Sequence, residues 1–309
     1  GELESKDSFL NLGTRLGEVH QLIYPRLRDT FTHDGCLRAV PVTVSTVFLA
    51  YNPELFRKCG VPEPAEHWTQ EQFLDAARRL TADTNGDGIA DQYGLTLSSS
   101  IGRWPVIALQ NGVDFKHPDR RAFLRMLTLI HDLLYRSRAA LLTTRSALNA
   151  EAFIREKAAM VLTTSIELAG WGSQPLSFQP KVAALPFGER QSTMLIANGF
   201  MVPESCSDPE LAAHFLRLAV SPELQEQFSR TMGFISVLPR VNEAVWNHSV
   251  LESLHLHRSA MESSFFLHEL FHDVHAVHEL EEEMSLFWAG LVSAEEFADT
   301  MTEALSGGA

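Results

Sequence analysis

Short apolar runs rich in β-branched residues alternate with amphipathic helical segments along most of this chain. The first run, residues 40–52 (VPVTVSTVFLAYN), lies between Gly35 and Pro53 and is typical of a buried strand. Residues 69–80 and 119–136 instead repeat their apolar positions with helical spacing. Further apolar runs follow at residues 158–164, 181–186 and 194–202. This alternation predicts an α/β fold whose strands are mostly parallel.

The charge of the chain disfavours nucleic-acid binding. The chain has 309 residues, of which 45% are hydrophobic, so it can bury the core of one large domain or of two ordinary ones. Its 39 acidic and 25 basic residues give a net charge of −14, which leaves no general basic field for phosphates. No run approaches the roughly 18 apolar residues that a membrane span needs, so we expect no transmembrane segment.

The three cysteines are too few and too scattered for a disulfide framework or a cysteine-based zinc site. Cys36, Cys59 and Cys206 therefore indicate free thiols or small buried side chains, which mildly favours a reducing compartment. The opening residues 1–10 also lack the basic-then-apolar pattern of a signal peptide. These two features keep a cytoplasmic location open beside an extracytoplasmic one.

A loop rich in Asp, Asn and Gly at residues 83–92 has the spacing of a calcium-binding loop. Oxygen-bearing side chains occupy positions 1, 3, 5 and 9, and glycine occupies position 6. The bidentate Glu expected at position 12 is replaced by Gly94. The candidate ligands are Asp83, Asn85, Asp87, the Ile89 carbonyl, Asp91 and Gln92. The alternative is an ordinary turn between a helix and a strand, and any bound calcium is expected to be structural.

The segment His268-Glu-Leu-Phe-His272 matches the H-E-x-x-H motif of zinc proteases. We expect one continuous helix over residues 263–289, on which His268, His272, His275 and Glu279 share a narrow face and could bind a divalent cation weakly. The extended protease pattern requires a glycine where His275 stands, because the chain must turn to bring in a third histidine. A zinc-dependent hydrolase is therefore the less favoured interpretation.

Other catalytic motifs are missing from the sequence. It contains no G-x-S-x-G elbow, no G-x-x-x-x-G-K-[ST] phosphate loop, and no G-x-G-x-x-G after a strand. The sequence therefore indicates a protein that is not an enzyme and that requires no cofactor.

The order of eight segments is informative where each segment alone is not. These segments are residues 34–62, 68–96, 108–115, 152–164, 181–187, 197–228, 232–240 and 287–305. Their order resembles the extracellular solute-binding proteins of ABC transporters, in the maltose-binding-like branch. The resemblance implies a two-lobed α/β fold of the periplasmic-binding-protein-like type II, with doubly wound lobes joined by hinge strands and a ligand in the cleft.

The resemblance also implies how the chain divides into lobes. The first lobe would hold residues 1–44 and 200–250, and the second would hold residues 45–199 and 251–309. The crossings would lie at Thr43–Ser45 and Asn198–Phe200. The strand and helix units that open the family's first lobe have no counterpart here, so we expect either an N-terminally truncated fragment or a variant whose first half-lobe is supplied otherwise. In both cases the first lobe is incomplete, and its sheet edge would tend to pair with another chain.

The ligand that the resemblance implies is a small polar solute, a carbohydrate, which the protein would deliver to an ABC transporter permease outside the cytoplasm. Aromatic rings suit the faces of sugar rings, and polar side chains suit their hydroxyls. The candidate ligand-binding residues are Thr43, Ser45, Tyr51, Trp104, Asn111, Glu167, Trp171, Asn198 and Phe234. The alternative with the same fold is the solute-binding sensor domain of a cytoplasmic transcription regulator.

Overall fold

The chain divides into two compact units. The computed structural model describes residues 8–65, 67–144, 146–171, 176–188, 190–232, 235–245, 264–271 and 274–306. Unit 1 holds residues 1–45, 168–173 and 196–262, and unit 2 holds residues 46–167, 174–195 and 263–309. Among the helices of the described residues, none has the length and apolar character needed to cross a bilayer.

The described elements are numbered along the chain. The strands are β1 (Thr32–His33), β2 (Cys36–Leu37), β3 (Val40–Tyr51), β4 (Tyr93–Ser98), β5 (Ala140–Thr143), β6 (Ala158–Thr164), β7 (Lys181–Ala183), β8 (Thr193–Phe200) and β9 (Ser264–Phe265). The helices are α1 (Pro25–Thr30), α2 (Pro53–Lys58), α3 (Gln70–Arg79), α4 (Pro105–Gln110), α5 (Arg120–His131), α6 (Ser146–Ile154), α7 (Ser165–Trp171), α8 (Pro209–Ala219), α9 (Pro222–Met232), α10 (Pro239–Val245), α11 (Leu267–Leu270), α12 (Val274–Trp288) and α13 (Ala294–Ser306).

Strand β3 organises the large sheet, whose order is β5-β4-β6-β3-β8-β9 with β7 also paired to β3. Strand β4 runs parallel to both β5 and β6, as the sequence predicts. Strand β3 is antiparallel to β6 and β7, which differs from the prediction of mostly parallel strands. The difference arises because β3 carries the chain from unit 1 into unit 2, so no helical crossover fixes its direction.

Local capping explains where the helices of unit 2 begin. The Thr69 hydroxyl accepts the Gln72 amide while the Gln72 side chain accepts the Thr69 amide, and this capping box begins α3. The Asp119 carboxylate accepts two amides of the first turn of α5. The buried face of α3 packs on β4 and encloses Phe73, whereas the buried face of α5 packs on α13 and α4, and its Phe123 is enclosed against Phe115.

A buried glutamine organises the core of unit 1. The Gln225 side-chain amide donates to the carbonyl oxygens of Val42 (3.1 Å) and Ala219 (2.9 Å). Its carbonyl oxygen accepts the Ser236 hydroxyl and the Val237 amide. One polar side chain therefore connects β3, α8 and the segment before α10, with its hydrogen bonds satisfied inside the core.

Helix α8 buries one face in unit 1 and exposes another that is also apolar. Ala213, Leu216 and Ala219 are buried. Leu211, Phe215 and Leu218 lie three and four residues apart and are 64%, 55% and 51% exposed. The Phe215 ring contacts the exposed Phe200 ring of β8, with 5.6 Å between centroids. We call Phe200, Leu211, Phe215 and Leu218 the α8 stripe.

The predicted continuous helix over residues 263–289 is wrong. Helix α11 ends at Leu270, Phe271 is extended (φ −122°, ψ 157°), and α12 begins at Val274. The Glu269 carboxylate accepts the Phe266 amide at 2.9 Å, so it caps α11. His272 lies outside the described residues. The helical face that would join His268 to His275 is absent, because the chain leaves the helix between them.

Candidate functional site

Three parallel strands of unit 2 end together at one edge of the sheet. Strands β4, β5 and β6 end at Ser98, Thr143 and Thr164. Ser98 is the register partner of Thr143, whose hydroxyl donates to the Leu97 carbonyl oxygen at 3.2 Å. In open α/β sheets, ligands bind outside the carboxyl ends of the strands. We therefore expect a ligand-binding site at this edge.

The serine-rich loop after β4 is fixed by its own hydrogen bonds. The Ser98 hydroxyl accepts the Ser100 amide at 3.2 Å, and the Ser100 hydroxyl accepts the Gly102 amide at 3.3 Å. The Ser100 carbonyl oxygen accepts the amides of Arg103 (2.9 Å) and Trp104 (3.3 Å). The loop thus turns the chain directly into α4 and holds partly exposed serines at the edge.

An enclosed ion pair spans the ends of β4 and β6. Arg103 Nη2 donates to Glu167 Oε1 at 2.6 Å, and Glu167 Oε2 accepts the Thr163 hydroxyl at 2.9 Å. The Arg103 side chain is 8% exposed, whereas the Glu167 side chain is 29% exposed. The arginine therefore fixes a carboxylate that still reaches solvent. We call Ser98, Ser99, Ser100, Arg103, Thr163 and Glu167 the strand-end edge.

Of the predicted ligand-binding residues in unit 2, only Glu167 belongs to the strand-end edge. Trp104 is 1% exposed, and its ring packs on Phe115 with 6.0 Å between centroids. Asn111 is buried, and its amide donates to the carbonyl oxygens of Ile107 and Phe187, both at 2.8 Å. The structure gives these two side chains packing roles, and their contact with a ligand stays a prediction.

Tyr51, another predicted ligand-binding residue, belongs to a separate polar cluster. Its hydroxyl donates to Glu63 Oε2 at 2.8 Å, and Lys181 Nζ donates to the same oxygen at 2.7 Å. Burial, followed by the bond to Glu63 and its charge, raises the pKa of Tyr51 above its ordinary value. The Lys181 ammonium lowers the pKa of Glu63. Tyr51 therefore stays a neutral hydrogen-bond donor near neutral pH, and its ligand contact stays a prediction.

In unit 1, the structure brings two predicted residues together. The Asn198 side-chain amide of β8 donates to the Thr43 hydroxyl of β3 at 3.0 Å. Gly199 follows in β8, where an added Cβ would lie 2.9 Å from the Val40 carbonyl oxygen, so only glycine allows this close approach. Ser45 and Trp171 are buried. Phe234 lies outside the described residues.

In the predicted calcium loop, side-chain oxygens that could bind calcium accept hydrogen bonds from backbone amides of the loop itself. The Asp83 carboxylate accepts the amides of Gly88 (2.7 Å) and Gly86 (2.6 Å), and these bonds, that of Gly88 first, lower the pKa of Asp83. Asn85 and Asp87 each accept the amide two residues ahead. These are the hydrogen bonds of consecutive Asx turns, which explain the Asp/Asn/Gly pattern without a metal.

Asp91 and Gln92, two further candidates of this loop, also form hydrogen bonds within the protein. Asp91 accepts the amide and hydroxyl of Thr84, and the buried Gln92 amide donates to the Leu80 carbonyl oxygen at 2.7 Å. Gly94 stands where a twelfth-position Glu would be, and a Cβ there would lie 2.1 Å from the Ala77 carbonyl oxygen. In the part of the chain that the structure describes, no three His, Cys, Asp or Glu side chains come close enough to hold a metal ion.

Sequence reasoning missed most of the strand-end edge. Arg103 was not a candidate, because its partner Glu167 lies 64 residues further along the chain. One sequence signal does indicate the strand-end edge: the run Ser98-Ser99-Ser100 directly follows a strand, and small polar residues at the carboxyl end of a strand are typical of binding loops.

Comparison with known proteins decides the family. Residues 6–250 match the sequence profile of the family described as bacterial extracellular solute-binding proteins. The chain belongs to this family. The match confirms the family that the order of sequence segments predicts. No curated protein sequence matched this solute-binding protein in the comparison.

Solved structures show the same fold. The ABC substrate-binding protein Lmo0181 from Listeria monocytogenes, in complex with cycloalternan, has a TM-score of 0.82 at 16% identity, with 98% of this chain and 80% of that chain covered. The maltotriose-bound MalE domain from Bdellovibrio bacteriovorus has a TM-score of 0.77 at 17% identity, with 97% and 80% covered. The GacH receptor of Streptomyces glaucescens has a TM-score of 0.77 at 21% identity, with 97% and 78% covered. This solute-binding protein therefore has the predicted α/β fold.

Proposed function

We propose that this solute-binding protein binds a carbohydrate at the strand-end edge, without converting it chemically, and delivers it to an ABC transporter permease outside the cytoplasm. The observation that carries the proposal is the carboxylate of Glu167, which Arg103 and Thr163 hold at the end of β6 while part of it stays open to solvent.

The chemistry of the strand-end edge suits sugar hydroxyls. A fixed carboxylate accepts hydrogen bonds from neighbouring hydroxyls, and the partly exposed Ser99 and Ser100 offer groups that both donate and accept. Because Arg103 already neutralises Glu167, the edge presents hydrogen-bonding capacity without a strong net field. The related structures contain cycloalternan, maltotriose and acarbose, which are all saccharides.

The test is calorimetric titration with maltotriose, acarbose and tagatose. We expect at least one of these sugars to bind with a stoichiometry of one molecule per chain. Glu167→Gln should weaken that binding at least tenfold, because it replaces the charged carboxylate acceptor with a neutral amide. The matched control is Glu303→Gln, which changes an exposed glutamate of α13 and should bind as the wild type does. Equal affinity of the two variants, or no binding by any of the three sugars, would refute the proposal.

A structural calcium ion at residues 83–92 rests on ligand spacing alone and stays a prediction. An ion that binds only the folded state must raise the melting temperature by mass action. We therefore expect wild type to melt at a higher temperature in 5 mM calcium than in EDTA, and Asp87→Ala to melt alike in both buffers. Coincident wild-type curves would leave the Asx turns as the whole explanation of the pattern.

A further inference from the structure

A groove of about 1150 Å³ lies within unit 2, and none of the described residues of the strand-end edge lines it. The starts of α3 and α5, the end of α4 and the loop after β7 form its walls. Its lining includes Trp68, Glu71, Asn111, Asp119, Arg125 and Arg190. The proposed function uses none of these side chains.

Trp68 supplies a carbon surface to this groove. Its indole Nε1 donates to the Ala184 carbonyl oxygen at 2.9 Å, and its ring packs edge-on against Phe73 with 5.6 Å between centroids. The side chain is nevertheless partly exposed. Because the ring nitrogen is already bonded and the ring is fixed, the exposed part of Trp68 offers a rigid aromatic surface rather than a polar group.

Polar side chains line the same groove as this ring. Arg125 Nη2 donates to the Asn111 carbonyl oxygen at 2.9 Å. The Asn111 amide is used by two other carbonyl oxygens, which leaves its side-chain oxygen as the acceptor. The Arg190 guanidinium lies beside Gly112, where an added Cβ would be 3.4 Å from its Cζ. Among the described residues, neither Arg190 nor Glu71 forms an ion pair.

We propose that this groove is a second saccharide site, specific for a neutral oligosaccharide. Two arginines and two carboxylates, those of Glu71 and Asp119, balance in charge, which disfavours a strongly anionic or cationic ligand. The polar lining disfavours an apolar one. A fixed ring beside interspersed donors and acceptors matches a sugar chain, with its apolar ring faces and hydroxyl rims. The volume exceeds that of most pockets for single small ligands, which points to several sugar units.

This second site would bind saccharide in addition to the strand-end edge, with which it shares no described lining residue. Holding a second stretch of the same kind of ligand on one rigid unit raises the local concentration of sugar chains near the protein. The inference does not depend on where the transported solute binds.

Fluorine NMR of protein labelled with 5-fluorotryptophan tests the proposal. The chain has five tryptophans, and Trp68→Phe identifies the resonance of Trp68. With maltoheptaose as the probe, we expect that resonance to shift saturably at millimolar concentrations. Arg190→Ala should weaken this binding at least threefold. Its matched control, Arg121→Ala, removes an exposed arginine that does not line the groove and should leave the titration unchanged.

Three results would overturn the second site. The first is no shift of the Trp68 resonance up to 20 mM maltoheptaose, and the second is an equal shift with sodium sulfate, which would indicate an anion site. The third is loss of the shift in Glu167→Gln, because the signal would then originate at the strand-end edge. A persisting Trp68 shift in Glu167→Gln supports the groove even if the calorimetric test of the proposed function fails, so the two proposals fail separately.

Discussion

At the scale of single residues, the buried charge of Arg103 positions a second charged group, the Glu167 carboxylate. The guanidinium donates to Glu167 and to the Gly102 carbonyl oxygen, while its Nε is buried without a partner among the described residues. Enclosing a cation is costly unless a partner compensates it, and removing one partner leaves the other uncompensated. The pair therefore serves to hold Glu167 in place more than to add net stability.

Arg103→Leu should lower the free energy of unfolding by about 3 kcal/mol, because Glu167 loses its counter-charge in a largely enclosed position. The double variant Arg103→Leu with Glu167→Leu should recover most of this loss, since no lone charge remains. Urea denaturation of the three proteins measures both effects. Equal stability of the single and double variants would contradict this account.

Asp83 gives unit 2 a dependence on pH. Backbone amides, that of Gly88 first, lower the pKa of Asp83 in the folded protein below its ordinary value of 3.8. A carboxylate with a lowered folded pKa contributes stability that is complete above the unfolded pKa and is lost as the pH falls through the folded pKa. We expect Asp83→Asn to be less stable than wild type at pH 7 and to lose less stability than wild type below pH 4. Urea unfolding at both pH values checks this.

At the scale of elements, local chemistry predicts boundaries well and long-range pairing poorly. The capping box of α3 and the Asp208 cap of α8 were predictable because their partners lie three residues apart. The break at Phe271 was not predictable, since apolar periodicity continues through it without Gly or Pro. Arg103 and Glu167 meet only after β4 and β6 pair, and no local pattern reports such a contact.

The packing of α3 on β4 depends on one glycine. Gly94→Ala should destabilise the protein by about 2–3 kcal/mol, because the new Cβ would lie 2.1 Å from the backbone oxygen of Ala77 and must push the helix outward. Gly170→Ala is the control, because a Cβ there meets no atom within 4 Å. Thermal melting of both variants tests this, and Gly94→Ala should melt at the lower temperature. Similar melting temperatures would show that α3 moves away from β4 at little cost in free energy.

At the scale of the whole molecule, the α8 stripe is an apolar surface that the described chain leaves open. Contiguous exposed apolar groups bind hydrophobic dyes and promote association, whereas isolated ones do not. We expect Leu211→Glu with Phe215→Glu to reduce the fluorescence of bound 8-anilinonaphthalene-1-sulfonate by at least half. Leu291→Glu, which alters a residue that is 73% exposed and lies outside the α8 stripe, is the control and should change this fluorescence little.

Unit 2 is built from three separate stretches of chain, so it cannot finish folding during synthesis until the third stretch has left the ribosome. Helix α5 packs against α13, whose Phe297 and Met301 are buried, and Arg120 of α5 forms an ion pair with Asp299 of α13. At ordinary synthesis rates, the residues between 167 and 294 take on the order of ten seconds to emerge. During that interval the apolar face of α5 lacks its cover from α13, and transiently exposed apolar surface of this kind makes a partly folded chain prone to aggregation.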